Sequence, residues 1–311
     1  MNEFLEVQAG ERAPQRLRRK GLDLADQAIG RLDAMAAGDA RALHDVRRRL
    51  KELRALTSLL VQPDRDFFRD AGRDLADYRD SKAAVEAFDR LRERFATAWT
   101  PRQFLKIRRA LEARIRPAVE QRIIDCMRPG LIFERGQIAA WTVDGMKRDE
   151  LWRELTRSYK RARRAMRRAL QEKTAENLHE WRKRVKIHWY HAQFLGDVGL
   201  ARFEPHTDQL RKLSRALGDH HDLIVVDQLC QAFPDLFGTM RYVKAFRGFI
   251  ATRLRELEVD VESLGRSIFA TRARNWEVRM RLTAAPRDVL LRIGPRKAPS
   301  RATRSNPAVT A

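Results

Sequence analysis

The sequence predicts an all-α fold built from a helical unit that occurs twice. Three observations carry this expectation. Apolar residues recur at three- and four-residue steps, Gly and Pro fall between those patterns, and one helical segment with its neighbours returns later in the chain.

The periodicity is clear in Leu43, Val46, Leu50, Leu53 and Leu60, a spacing that sets apolar side chains along one helix face. Pro63, Pro101, Pro129, Pro205, Pro234 and Pro286 sit where such patterns break, so each is expected to mark a helix boundary. Alternation at period two is not sustained anywhere. The nearest approach to a strand, Leu223-Ile224-Val225-Val226, reads equally well as a buried helical turn. From about Pro286 the apolar residues give way to Pro, Ser, Thr and Arg, and 286–311 is expected to be a solvated, disordered basic tail.

The repeat decides the architecture. Leu43-His44-Asp45-Val46-Arg47-Arg48-Arg49-Leu50-Lys51 returns 135 residues on as Leu178-His179-Glu180-Trp181-Arg182-Lys183-Arg184-Val185-Lys186. Arg69, Arg73, Leu75, Asp77 and Asp80 then match Arg211, Arg215, Leu217, Asp219 and Asp222 at an offset of 142, with a turn expected at Leu217-Gly218-Asp219. Two linked matches in the same order are poorly explained by chance. The chain therefore divides into repeats of about 12–140 and 141–285.

With 64 Lys and Arg against 42 Asp and Glu, the 311 residues carry a formal net charge of +22. A hydrophobic fraction of 43% is too high for a disordered polycation, so the excess charge belongs to a folded protein with an anionic partner. Nucleic acid, an acidic membrane surface and a phosphate polymer all qualify. The cations are mostly Arg, whose planar fork suits phosphate oxygens. Cys126 and Cys230 give neither a disulfide framework nor Zn spacing, which reads as a reduced, cytosolic setting. No apolar run reaches membrane-spanning length and the first residues lack a signal-peptide pattern, so no membrane association is expected.

The cations fall in stripes. His44, Arg47, Lys51 and Arg54 line one helix face for about 15 Å, and each lies one residue, about 100°, round from the apolar stripe. His179, Arg182 and Lys186 repeat the arrangement beside Leu178, Trp181 and Val185. Arg48 and Lys183, by contrast, point opposite the core. A cationic stripe bordering the core is half-buried, a costly placement unless anions answer it. Arg157, Arg161, Arg164 and Arg168 form a further stripe, Arg12, Arg16 and Arg19 another, and Arg211 and Arg215 are i, i+4 partners. A single charge run on a helix is usually a solvated face. Recurrence at matched places in both halves favours a shared anion-binding surface.

Other constellations carry less. His188 with His191, and His220-His221 beside Asp219 and Asp222, lack a third ligand at metal-site spacing, so neither metal nor cofactor is expected. Asp77 with Asp80, and Asp219 with Asp222, are expected to cap helices or pair with Arg rather than catalyse. No phosphate loop or nucleophile–base arrangement occurs, and an enzyme is not expected. Phe67-Phe68, Trp99, Trp141 and Trp152 fit apolar positions and do not interleave with the stripes as a base-stacking platform would. His44 and His179 fit either phosphate contacts or the ordering of neighbours.

These segments resemble the CHAD family, the conserved histidine α-helical domain. The marks are Leu43-His44-Asp45-Val46-Arg47, the segment Leu178–Lys186, the stretch Arg211–Asp222, and the basic helix Arg157-Ser158-Tyr159-Lys160-Arg161-Ala162-Arg163-Arg164-Ala165-Met166. The resemblance covers roughly residues 12–285. It implies two similar helical bundles related by a pseudo-twofold around a basic central channel, which binds inorganic polyphosphate without catalysis, in the cytoplasm at polyphosphate granules. The residues implied are Arg16, Arg19, His44, Arg47, Lys51, Arg54, Arg69, Arg73, Arg157, Arg161, Arg164, His179, Arg182, Lys186, Arg211 and Arg215. One departure is Trp189, which stands where the first repeat has Arg54. The competing expectation is a protein that binds nucleic-acid backbones non-specifically through the same charge.

Overall fold

The computed structural model describes residues 11–39, 41–62, 66–95, 100–114 and 121–283. Among them the chain is all helical, with no strand. Eleven α-helices follow one another: α1 (Ala13–Ala36), α2 (Ala42–Leu59), α3 (Phe67–Asp74), α4 (Ala76–Arg94), α5 (Pro101–Glu112), α6 (Gln121–Ala139), α7 (Arg148–Gln171), α8 (Ala175–Asp197), α9 (Glu204–Ala232), α10 (Met240–Ile268) and α11 (Ala273–Thr283). No described helix is long and apolar enough to cross a membrane.

Local chemistry sets several of the starts. Before α5, the Thr100 hydroxyl accepts from Gln103 N at 3.3 Å, the Gln103 side chain accepts from Thr100 N, and Pro101 takes the first helical position. Thr174 caps α8 by accepting from Asn177 N at 3.2 Å. Pro205 lies in the first turn of α9, and Pro234 opens a short 3-10 turn, Pro234–Phe237. These prolines mark boundaries as the sequence implied.

Pro129 does not. It lies inside α6, where it removes one backbone donor and exposes a carbonyl one turn earlier. The residue is exposed, so water can satisfy that carbonyl. Ile124, Met127, Leu131 and Ile138 are buried on the other face, and α6 packs on α1. Four such side chains, each stabilising by about 1.5–3 kcal/mol, outweigh a kink of about 3 kcal/mol. Pro63, Pro286, Trp99 and the tail beyond Pro286 lie outside the described residues, as do the side chains of Asp77 and Asp80.

A second correction concerns Leu217-Gly218-Asp219. It forms no turn, because α9 runs through it unbroken, and Leu223–Val226 lie in the same helix. The matching place in the first half does break, since α3 ends at Asp74 and α4 begins at Ala76.

The helices of 13–139 pair as α1 with α2 and α6, α2 with α3, and α4 with α5. Those of 148–283 pair as α7 with α8 and α11, α8 with α9, and α9 with α10. The sets are joined chiefly by α4 on α9 and α2 on α8, with smaller contacts of α2 with α7 and α4 with α10. The main core draws on both, with Leu24, Leu50 and Leu56 beside Trp152, Trp181 and Trp276. A smaller core lies where α4 and α5 meet the later parts of α9 and α10, around Phe88, Phe104, Val226 and Phe246.

Candidate functional site

The stripes border the core over part of their length: Arg47, Lys51, His179, Arg182 and Lys186 do, while His44 and Arg54, expected there too, are exposed. On α2, Val46, Leu50 and Leu53 are fully enclosed, and Arg47, one residue round, is 9% exposed. Lys51 is half-buried, and His44 and Arg54 reach solvent. On α8, Trp181 and Val185 are fully enclosed and Leu178 nearly so, while His179, Arg182 and Lys186 are half-buried. Arg48 and Lys183 are exposed, as expected for the face away from the core.

Buried Arg47 and half-buried Arg182 both turn onto the helix that follows. Arg47 Nη1 donates to the Gly72 carbonyl at 2.8 Å, in the last turn of α3, where carbonyls lack helical partners and carry partial negative charge. Arg182 lies across Gly218, where an added Cβ would sit 3.4 Å from Nη2. Gly218 is thus a place of close approach rather than a turn. Without a side chain there, the guanidinium lies flat on α9 and the helix need not break.

The two stripes also meet. His44 is held below its ordinary pKa by burial first, and then by the positive charges of Lys51, Arg48 and Lys186, with Asp45 opposing. Lys186 belongs to the other copy of the motif, so α8 brings a cation to the first histidine. His179 is pushed down to about 4, by burial and then by His221, Lys183 and Arg182. Its ring lies over that of His221 with centroids 4.5 Å apart. Both motif histidines are therefore neutral at neutral pH. They offer hydrogen bonds rather than charge, and an anion nearby would raise their pKa.

Between α2, α7 and α8 lies a cavity of about 120 Å³, lined by Arg54, Ser58, Arg161, Arg184 and His191 among others. Sequence reasoning selected Arg54 and Arg161 from this set and missed the rest. A signal for Arg184 was present, since Arg49 occupies the same place in the first copy. Arg49 pairs with Glu52 and Arg184 with Glu180, each at 2.6 Å.

The remaining cations lie on other helices. Arg16 and Arg19 on α1 are half-buried, Arg19 pairs with Glu11 at 2.7 Å, and the Nε of each is enclosed without a hydrogen-bond partner among the described residues. Arg157 pairs with Glu154 at 2.7 Å, and Arg164 is exposed. Arg69 binds Asp70 at 3.0 Å and Asp66 at 2.5 Å, Arg73 reaches Asp70 at 3.2 Å, and Arg211 reaches Asp208 at 3.0 Å. Arg215 is exposed and its charge bears on Asp219. Exposed pairs of this kind hold their partners weakly, by about 0–1 kcal/mol, so an incoming polyanion can compete for the cations.

The groups set aside in the sequence have other engagements. Arg90 lies 3.5 Å from Asp219 and 3.6 Å from Asp222, the pairing expected of those carboxylates. His220 faces Glu258 at 3.7 Å while its neighbour His221 meets His179, so this pair does not act together. His188 is fully buried, with Nδ1 2.8 Å from Ser158 Oγ and Nε2 2.9 Å from His206 Nε2. Among the described residues, no three His, Cys, Asp or Glu side chains converge as metal ligands.

Residues 22–231 match the family model of the CHAD domain, about two thirds of the chain. The chain belongs to the CHAD family. No curated protein matches it at a significant level. The matched span runs from α1 to the last residues of α9 and so takes in both copies of the histidine-bearing segment, the α2–α8 contact and the Arg-lined cavity. Helices α10 and α11 lie beyond it, although Trp276 and Ile268 complete the main core.

Proposed function

We propose that this CHAD protein binds inorganic polyphosphate without transforming it. In this reading its two helix sets are similar bundles around a basic channel, and its setting is the cytoplasm, at polyphosphate granules. The observation that carries the proposal is the meeting of half-buried cations from both motif copies where α2 crosses α8, with Lys186 bearing on His44. A flexible polymer of identical phosphates can follow cations so placed with no base to read. The family supports the same reading, being one associated with polyphosphate. Sequential contacts would come from Arg47, Lys51, Arg54, Arg161, Arg182 and Lys186. The outer cations Arg16, Arg19, Arg69, Arg73, Arg157, Arg164, Arg211 and Arg215 would gather chain at the mouths, while His44 and His179 give neutral hydrogen bonds.

The test is a competition titration of long-chain polyphosphate against duplex DNA, at matched phosphate concentration and two salt levels. Polyphosphate should win at both levels, with affinity falling steeply with salt. Preference for DNA would replace the proposal with nucleic-acid backbone binding, and a salt-independent affinity would remove its electrostatic basis.

A further inference from the structure

The outward face of α6 inverts the pattern that a surface helix ordinarily shows. Ile124, Met127, Leu131 and Ile138 turn inward, so the positions opposite them should be polar. Instead Pro129, Ile132, Phe133 and Gly136 lie there, with Ala140 just past the helix end, and all five are exposed. Ile132 is 53% exposed and Phe133 58%. Singly exposed apolar residues are ordinary, but these follow one another at helical steps and form one strip.

The charge and shape of the strip limit what it can meet. The cations beside it are answered from within the molecule, Arg128 by Asp33 of α1 at 3.0 Å and Arg135 by Asp26 of α1, and at its first end exposed Arg122 and Asp125 carry opposite charges. On a chain with a net charge of +22 this is a locally neutral face, unsuited to a phosphate polymer or an acidic membrane and suited to another neutral, apolar face. Gly136 costs the helix stability relative to alanine, yet an added Cβ there would meet nothing within 4 Å. Packing among the described residues does not require that glycine. It does require Gly130, where a Cβ would strike the Phe67 ring of α3.

We infer that the outward face of α6 is an interface between two copies of this chain, paired antiparallel about a twofold axis. The strip is self-complementary, with bulky Phe133 three residues from the open space at Gly136. An axis midway between these positions sets Phe133 of each copy over Gly136 of the other and Pro129 against Ala140, which is the isologous pairing a twofold requires. At 1.5 Å per residue the 19 residues of α6 span about 28 Å, and two helices paired over that length bury on the order of 1,000 Å² in total, the lower end of specific interfaces. Such an area gives a weak, micromolar dimer. The inference is independent of the polyphosphate reading, since the two surfaces share no residue.

The experiment is sedimentation velocity on the full chain, stripped of bound polyanions, from about 1 to 200 µM at about 0.1 and 0.5 M salt. The parent should pass from monomer to dimer across this range. Because apolar surface joins two positively charged copies, salt should tighten the dimer at least twofold, the opposite of its effect on polyphosphate binding. Gly136→Gln fills the open space while favouring the helix, so the thermal melt should hold or rise as dimer affinity falls at least tenfold. Phe133→Ser should bring a similar loss, and Val259→Ser, which removes a side chain 68% exposed on α10, should bring none. A parent that stays monomeric at about 200 µM overturns the inference, and would leave the strip to another segment or another protein. A dimer unchanged in Gly136→Gln, or weakened equally in Val259→Ser, overturns it too. If Phe133→Ser fails to fold, Gly136→Gln decides alone.

Discussion

Acid should unfold this protein well before its carboxylates are protonated, because buried neutral histidines hold part of the core. His191 and His206 are both pushed down to about 4, chiefly by burial, and fully buried His188 is lowered further in the same direction. In the unfolded chain each returns to about 6.5. The folded values are depressed, so the stability is complete above about pH 6.5 and is lost as pH falls toward about 4. Each group contributes a slope of up to about 1.4 kcal/mol per pH unit, so His191 and His206 together give up to about 2.7. By pH 5 the loss from His191 and His206 alone is roughly 4 kcal/mol, a large share of the ~5–15 kcal/mol typical of a folded domain. Burial raises Asp197 and Asp219, which oppose the trend, and acid also adds positive charge to a chain already at +22. Salt separates these effects, since it screens surface repulsion but not the desolvation of an enclosed ring. The assay is urea unfolding by far-ultraviolet circular dichroism between pH 7 and pH 4.5, in 0.1 and about 0.5 M salt, spanning Debye lengths of about 10 to 4 Å. His191→Gln, which keeps an N–H for the Ala55 carbonyl, should lower the slope by about 1.4 kcal/mol per pH unit. Stability that is flat from pH 7 to 5, or a slope unchanged in this variant, would refute the reasoning.

Three other perturbations test the remaining framework. Lys51→Gln with Lys186→Gln should lower the log–log salt slope of polyphosphate binding by roughly 1.4–1.8, from about 0.7–0.9 per contact, whereas Arg48→Gln with Lys183→Gln should change it by less than half as much; equal losses would mean a diffuse charge effect. Arg47→Leu removes a charge-assisted bond to the Gly72 carbonyl and should destabilise by about 1.5–3 kcal/mol, with hydrogen exchange in α3 accelerating first. At Gly265 a new methyl would lie 2.6 Å from the Trp181 ring, so Gly265→Ala should lower thermal stability by about 1–3 kcal/mol while polyphosphate affinity stays within twofold.

Helix class, the stripe positions and the family were legible in the sequence for one reason: each is a local periodicity or a local segment. The side chains one residue round from Val46 and Leu50, Arg47 and Lys51, border the core, whereas Arg54 beside Leu53 is exposed. Two local rules failed at Pro129 and Gly218. A proline's break depends on whether packing of the other face outweighs it, and a glycine signals a turn or a close approach with the same letter. The neighbours decide, here α1 against α6 and Arg182 against α9.

What only the tertiary structure decided is who meets whom. Nothing local to Leu43–Lys51 says that Lys186 stands near His44, or that His220 and His221, adjacent in sequence, face Glu258 and His179. The Arg54, Arg161 and Arg184 cavity draws on helices more than 100 residues apart, and the His191 ring on α8 donates its Nε2–H to the Ala55 carbonyl of α2. Periodicity fixes which face of a helix is wet. The crossing of α2 on α8 is set by the summed packing of both helix sets around the core they share, and it decides what that face touches.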